Sequence, residues 1–194
     1  MTSRDEILAR VRARQPEARP LPDVPLFDAG RPKSLAAFKA SLLCMGGKLV
    51  DPPTDGDLDA LVRRLFPDAR VVCSATPEVT GNRPLEKVAR PADLDDVDVG
   101  IVRAAFGVAE TGSVWLSEAQ FGVNALGFLA QHLVVLLDPA SIVVNLHHAY
   151  HDARFRDARY AVLMTGPSAT ADIEGVLIHG AQGIRSLTVV PAPV

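Results

Sequence analysis

The sequence predicts an α/β fold: a mainly parallel sheet with helices on both of its faces. From residue 34 onward, short apolar runs alternate with capped amphipathic segments, and strands that alternate with helices favour parallel pairing. Hydrophobic residues make up 48% of the 194 residues and charged residues 22%, a balance typical of a folded chain with a sizeable core.

The chain is predicted to consist of an N-terminal arm, residues 1–32, and a single domain, residues 33–194. Ser3 and Glu6 have the spacing of a capping box, and the residues that follow predict an amphipathic first helix. Five prolines between residues 15 and 32 then exclude a helix and favour an extended chain. We therefore expect the first helix to be tethered to the domain, free to move or to pack on a partner.

Within the domain, periodicity and turn residues place each element in order. The predicted helices are residues 34–45, 54–66, 140–150 and about 171–179. The predicted strands are residues 48–50, 70–73, 97–105, 113–116, 133–137, 160–164 and 187–190. The strands at 97–105 and 113–116 are expected to be neighbours joined through Gly107 to Gly112. Residues 121–130 are apolar without a clean period and fit either core or a lid over a site.

Charge and hydropathy limit the partners of this chain. The net charge of −3 provides no basic field, so a nucleic-acid partner is not expected. The most apolar stretch, residues 123–146, is interrupted by polar residues and a proline, which is unfavourable for a membrane span. Residues 1–14 lack the apolar core of a signal peptide. We therefore expect a cytoplasmic location.

The two cysteines, Cys44 and Cys73, lie in apolar runs and are predicted to be small buried residues. An iron–sulfur cluster takes about four thiolates and a structural zinc four Cys or His ligands. We therefore expect no cofactor on this chain. His147 and His151 would lie one helical turn apart and fit either a metal site or a polar helix end, of which we expect the latter.

A first candidate site segment is the loop that contains Glu110, Thr111, Gly112 and Ser113, directly before the predicted strand at 114–116. A carboxylate in such a loop can act as a base, a nucleophile or a hydrogen-bond acceptor. The same residue types are also common in a tight turn with its polar side chains outside.

A second candidate segment follows the strand at 160–164. Its turn-forming and polar residues are Gly166, Pro167, Ser168, Thr170, Asp172 and Glu174. Ser168 or Thr170 is expected to cap the helix predicted at 171–179, with the two acids at its positive end. Those acids disfavour a phosphate and favour a hydroxyl-bearing or cationic ligand. Since ligands bind at the carboxyl ends of parallel strands, both segments are expected to face one cavity there.

These segments together resemble the LutC/YkgG family, the lactate-utilisation LUD domain. The resemblance covers nearly the whole chain and rests on Glu6–Arg10, Ala109–Ser113 and, above all, Gly166–Glu174. Gly183 and Ser186–Thr188 also fit. Where the family commonly has His-Gly-Pro, this chain reads Gln182-Gly183-Ile184, which removes any role for a histidine at that point.

The resemblance implies a fold similar to the NagB/RpiA/CoA-transferase group. It also implies a subunit without a redox centre, which works with two iron–sulfur proteins to oxidise L-lactate to pyruvate. In CoA transferases a loop glutamate forms the covalent intermediate, and Glu110 has the most similar setting here, so it is the candidate catalytic residue. Two alternatives remain open: a stand-alone CoA-transferase-like or sugar-phosphate enzyme that uses Glu110, and a purely structural assembly module.

Overall fold

The computed structural model describes residues 2–17, 19–171, 177–180 and 182–193. The strands are β1 (Lys48–Leu49), β2 (Val72–Ser74), β3 (Val99–Arg103), β4 (Phe106–Val108), β5 (Ser113–Ser117), β6 (His132–Leu137), β7 (Ala161–Met164), β8 (Ala169–Ala171), β9 (Leu177–His179) and β10 (Ser186–Pro191). The α-helices are α1 (Ser3–Ala13), α2 (Leu35–Cys44), α3 (Leu58–Leu65), α4 (Glu118–Phe121), α5 (Leu126–Leu129), α6 (Leu146–His151) and α7 (Ala153–Asp157). Within these ranges, no helix has the length and apolar character needed to cross a bilayer.

Five strands form a central sheet in the order β1–β10–β6–β3–β2, and every neighbouring pair is parallel. This arrangement confirms the predicted α/β class. Along β6, Leu133 and Val135 pack into the core on one face, while Val134 and Leu136 pack on the other. Because both faces are covered, such strands are continuous apolar runs in the sequence.

Different elements cover the two faces of the central sheet. Helix α3 packs on one face through Leu61 and Val62, and its first turn is capped by the Asp57 side chain, which accepts from the Ala60 amide at 2.7 Å. Helix α2 packs on the other face through Phe38 and Leu42, together with α4, α5 and a second sheet. Helices therefore lie on both faces, as the sequence predicts.

The second sheet is antiparallel, with the order β4–β5–β7. The prediction that 97–105 and 113–116 are neighbouring strands was therefore wrong, because β3 and β5 belong to different sheets. The chain changes sheet within two residues. The amide of Ala104 still donates to Leu136 O of the central sheet at 2.8 Å, whereas that of Ala105 donates to Trp115 O at 3.2 Å.

Two predicted helices differ from the structure. The segment 140–150 contains a 3₁₀ turn, an extended stretch in which Val143 bridges to Val108, and only then α6. Among the described residues of the segment 171–179, Ala171 ends β8 and Leu177–His179 form β9, and these two strands pair antiparallel with Thr170 opposite Ile178. β-Branched residues at these facing positions favour a strand, and the prediction relied on capping residues alone. Residues 172–176 lie outside the described residues.

The capping box of α1 and one cysteine also differ from the prediction. The box uses Thr2 and Asp5, one position earlier than expected. Cys73 is buried, and burial raises the pKa of its thiol to about 11. Cys44 is exposed instead, because it lies two residues beyond the buried Leu42 and therefore on the other side of α2.

One carboxylate joins the starts of β2 and β3. Asp98 Oδ2 accepts hydrogen bonds from the backbone amides of Arg70 at 2.7 Å and of Val71 at 2.8 Å. These bonds favour the charged form, so they hold the pKa of the Asp98 carboxyl below its ordinary value.

We expect Asp98→Asn to lower the free energy of unfolding at pH 7 by about 1 kcal/mol, since an amide oxygen is a weaker acceptor than a carboxylate. A lowered native pKa stabilises the fold above the unfolded-state pKa of about 4, and this contribution is lost as the pH falls through the native value. The gap between the two proteins in urea unfolding should therefore close below about pH 4. Asp95→Asn, at an exposed neighbouring position, serves as the control. A gap that stays constant on acidification would contradict this role for Asp98.

Candidate functional site

A row of three hydroxyl groups lies where β7 ends and β5 begins. Thr111 Oγ1 and Ser113 Oγ are 2.7 Å apart, and Ser113 Oγ is hydrogen-bonded to Thr165 Oγ1. Ser113 and Thr165 are adjacent because Val114 of β5 pairs with Met164 of β7. The row borders a cleft of about 510 Å³ whose lining is Ser41, Cys44, Met45, Glu110, Thr111, Ser113 and Thr165.

Two glycines let the end of α2 form one wall of this cleft. Gly112 and Gly166 have φ angles of +65° and +64°, which favour glycine. A Cβ at Gly112 would overlap the backbone of Leu42, and one at Gly166 would overlap the carbonyl oxygen of Met45. The sequence thus places glycine where the helix must approach both loops at backbone distance.

Glu110 lies at the rim of the cleft, with 31% of its side chain exposed. Its Oε1 forms an ion pair with the guanidinium of Arg31, and its Oε2 accepts from the Leu146 amide at 3.2 Å. Leu146 is the first residue of α6. Glu110 therefore also satisfies an amide at the start of a helix, a role that the spacing of its loop does not indicate.

Arg31 reaches Glu110 because the proline-rich arm docks beside α6. The buried side chain of Asn145 donates from Nδ2 to Leu26 O at 2.6 Å, while its Oδ1 caps α6 by accepting from the His148 amide at 3.1 Å. The ring of Phe27 lies 5.0 Å from that of His147. The C-terminal end of the arm is thus bound beside the candidate site of the same chain.

The second segment borders a smaller, mostly apolar cleft of about 220 Å³ lined by Gly166, Pro167 and Ser168 together with Phe128 and Gly183. Thr165 lines both clefts. Ser168 does not cap a helix: its amide donates to Ile184 O at 2.9 Å and its hydroxyl to Gln182 O. The segment follows the carboxyl end of β7, as predicted, but β7 belongs to the antiparallel sheet and not to the parallel one. Since Ile184 lies two residues before β10, the segment also lies near the amino end of that central strand.

The remaining predicted site residues lie elsewhere. Thr170 is exposed on the hairpin strand β8, and Asp172 and Glu174 lie outside the described residues. His147 contacts Phe27, and His148 bonds to Asn145 at 2.9 Å. In the part of the chain that the structure describes, no three His, Cys, Asp or Glu side chains are grouped so as to hold a metal.

A family model described as the LUD domain matches residues 25–190. The chain belongs to the LUD domain family. The matched region begins just before Leu26, so the docked end of the arm is part of this LUD domain, while α1 precedes it.

Two curated proteins are similar to part of this LUD domain. Lactate utilization protein C from Deinococcus radiodurans is 30% identical over 102 residues, which cover 51% of this chain and 48% of the relative. An uncharacterised protein from Neisseria meningitidis serogroup B is 28% identical over 97 residues, which cover 48% of this chain and 42% of the relative. The chain therefore spans about half the length, or less, of the curated relatives it matches.

A crystal structure of a DUF162 family protein from Deinococcus radiodurans has a similar fold. The TM-score is 0.64 at 21% sequence identity, and the match covers 86% of this chain and 99% of the other. At that identity the likeness supports the architecture of the LUD domain alone.

The structure brings four predicted residues of the LUD domain together, and sequence reasoning missed others. Glu110, Thr111 and Ser113 line one cleft and Gly112 shapes its wall, as the loop motif indicates. Thr165, Ser41 and Arg31 were missed. The position of Thr165, between a predicted strand and the candidate Gly166, could have indicated it as a site residue. Nothing in the local sequence indicates that Arg31 pairs with Glu110.

We expect Gly112→Ala to lower the free energy of unfolding by about 3 kcal/mol or more, because the new Cβ overlaps Leu42 as well as straining a positive φ. Gly56→Ala is the matched control: its φ is +76° but nothing lies within 4 Å of the added Cβ. The control should lose only the conformational penalty of about 1–2 kcal/mol. Equal losses in urea unfolding would show that contact with α2 does not require this glycine.

Proposed function

We propose that this LUD domain is a subunit, without a redox centre of its own, of a cytoplasmic lactate-utilisation system that oxidises L-lactate to pyruvate with iron–sulfur partner proteins. The family match over residues 25–190 carries the proposal, together with the similarity to lactate utilization protein C from Deinococcus radiodurans. The chemistry of the cleft around Glu110 supports it independently.

L-Lactate carries a carboxylate and a neighbouring hydroxyl, and the cleft offers complementary groups for both. Two of the three hydroxyl protons are used inside the row of Thr111, Ser113 and Thr165, so one hydroxyl of the row is left to donate a hydrogen bond to a carboxylate. Glu110 can accept a hydrogen bond from the hydroxyl of lactate. A cleft of about 510 Å³ leaves ample room for so small an acid. Gly166, Pro167 and Ser168 shape the adjoining cleft, and roles in binding for Thr170, Asp172 and Glu174 remain predictions from the sequence.

Oxidation of lactate to pyruvate releases two protons and two electrons. In this proposal Glu110 would accept the hydroxyl proton, and the proton from C2 would go to water. Iron–sulfur clusters on the partner proteins would supply the acceptor for the two electrons. The chain has two cysteines, fewer thiolates than a cubane cluster takes as ligands, so we assign the clusters to the partners.

A role in assembly is a second candidate function, favoured by α1. No residue of α1 is buried, and Ile7 and Val11 are 59% and 54% exposed. An apolar pair one turn apart on an unpacked helix fits a docking element for another subunit. The two functions are compatible, because α1 lies outside the region that matches the family.

We expect Glu110→Gln to fail to restore growth on L-lactate in a strain that lacks the native gene, while growth on glucose or pyruvate stays normal. The substitution keeps the size of the side chain but removes the proton acceptor. The fold should persist, since a half-exposed ion pair with Arg31 contributes at most about 1 kcal/mol.

The matched control is Glu86→Gln, at an exposed position away from the cleft, which should restore growth fully. A folded Glu110→Gln protein that supports normal growth on lactate would rule out the assigned role of Glu110. Normal growth on lactate of the strain without the gene and without a second copy would contradict the function itself.

We expect removal of residues 1–24 to leave the thermal unfolding midpoint nearly unchanged, because α1 buries no side chain, but to weaken capture of the co-expressed iron–sulfur partners. The truncation keeps Leu26–Arg31 and thus the contacts of the docked arm. The control is the double variant Arg4→Ala/Arg12→Ala, which changes charge in α1 but keeps Ile7 and Val11. Equal capture by full-length and truncated chains would exclude α1 as the docking element.

A further inference from the structure

A second cavity, of about 590 Å³, opens at the amino ends of four strands of the central sheet. It shares no lining residue with the cleft around Glu110. The starts of β1, β3, β6 and β10 supply most of its polar lining: Lys48, Asp98, Gln131, His132, Arg185 and Ser186. Asp68, in the loop after α3, also lines it. Phe66 and its neighbours at the end of α3 close the other side.

Two cations face this cavity without a protein counter-charge. Among the described residues, neither the ammonium of Lys48 nor the guanidinium of Arg185 forms an ion pair or a side-chain hydrogen bond. Lys48 begins β1 opposite Thr188, and Arg185 directly precedes the neighbouring parallel strand β10, three residues before Thr188. Like charges that line one cavity repel each other, and a bound anion would relieve that repulsion.

Two contacts fix the orientation of the His132 ring in this cavity. Its Nδ1 lies 2.7 Å from Ser186 Oγ, and its ring stacks on Phe66 with centroids 4.8 Å apart. Burial, followed by the positive charge of Arg185, lowers the pKa of His132, and Lys48 acts in the same direction while Asp98 opposes them. Both cations are therefore close enough to act on the ring.

The acids of the cavity do not neutralise these cations. Asp98 lies on the β3 side, where its carboxylate is bound by the backbone amides of Arg70 and Val71. Asp68 is exposed in the loop after α3. Lys48 and Arg185 thus lie at the β1–β10 side of the cavity and Asp98 at the β3 side.

We propose that this cavity binds a small oxyanion, a carboxylate or phosphate group, between Lys48 and Arg185, with Ser186 and His132 as its hydrogen-bonding partners. Arg185 supplies a planar fork of donors that matches either group, and Ser186 supplies a hydroxyl at the base of the site. The cleft around Glu110 is lined by hydroxyl groups and a carboxylate, whereas this cavity presents two cations, so the two linings differ in charge. The proposal does not depend on the function assigned to Glu110.

Proton NMR of the full chain tests it, with His132 as the reporter and His132→Gln to assign its signal. The probes are inorganic phosphate and pyruvate, each compared with chloride at the same ionic strength. A bound oxyanion stabilises the imidazolium, so the pKa of His132 should rise saturably with at least one probe and not with chloride.

Arg185→Gln separates binding from a general electrostatic effect. Removal of the cation should raise the pKa of His132 without any probe, and the response to the probe should need at least about tenfold more anion. Lys87→Gln, an exposed lysine elsewhere, should behave as the unaltered chain. A response to phosphate alone, to pyruvate alone or to both supports the proposal and identifies the anion class. No response beyond that to chloride, or an undiminished response in Arg185→Gln, overturns it.

Discussion

The candidate site depends on the close approach of one helix end to two loops. The last turn of α2 contacts Gly112 after β4 and Gly166 after β7 at backbone distance. This contact fixes where the two loops lie, so Thr111, Ser113 and Thr165 come together in one row although Ser113 and Thr165 are 52 positions apart in sequence. Any side chain at either glycine would push the helix away and separate the hydroxyl groups from Ser41 and Cys44 on the opposite wall.

Burial and long-range pairing decide which parts of the fold can be predicted from sequence. The central strands are buried on both faces, so continuous apolar runs indicate them in the sequence. In the small antiparallel sheet, β5 and β7 were predicted as strands, but β4 and the separate sheet were not, because β4 is only three residues long and follows β3 after two alanines. The hairpin at β8 and β9 was mistaken for a helix because Ser168 and Thr170 are good caps in isolation, whereas cross-strand pairing is a long-range effect.

The residues of the candidate site also fall into two groups, those that the sequence indicates and those that only the folded chain brings to the site. Loop composition marked Glu110, Thr111, Gly112 and Ser113 as candidates, because a carboxylate, two hydroxyls and a glycine lie within four residues directly before Val114–Leu116. It did not identify Ser41 or Arg31, which meet the loop only after α2 and the arm have packed. The position of the second segment was misjudged for a related reason. Strand ends were assigned to a single parallel sheet, while β7 in fact belongs to the antiparallel one.

Asn145 couples the arm to the domain and thereby sets a geometric limit on α1. One buried amide both caps α6 and holds Leu26, so the arm has a fixed anchor at that point. Between the end of α1 at Ala13 and this anchor, an extended chain rises by about 3.1–3.6 Å per residue, which gives a reach of roughly 40–47 Å. The end of α1 is therefore kept within that distance of Leu26, and a subunit bound to α1 is tethered to the side of the domain that carries the cleft. Such tethering raises the effective concentration of the bound subunit at the cleft, without any requirement for a large permanent interface.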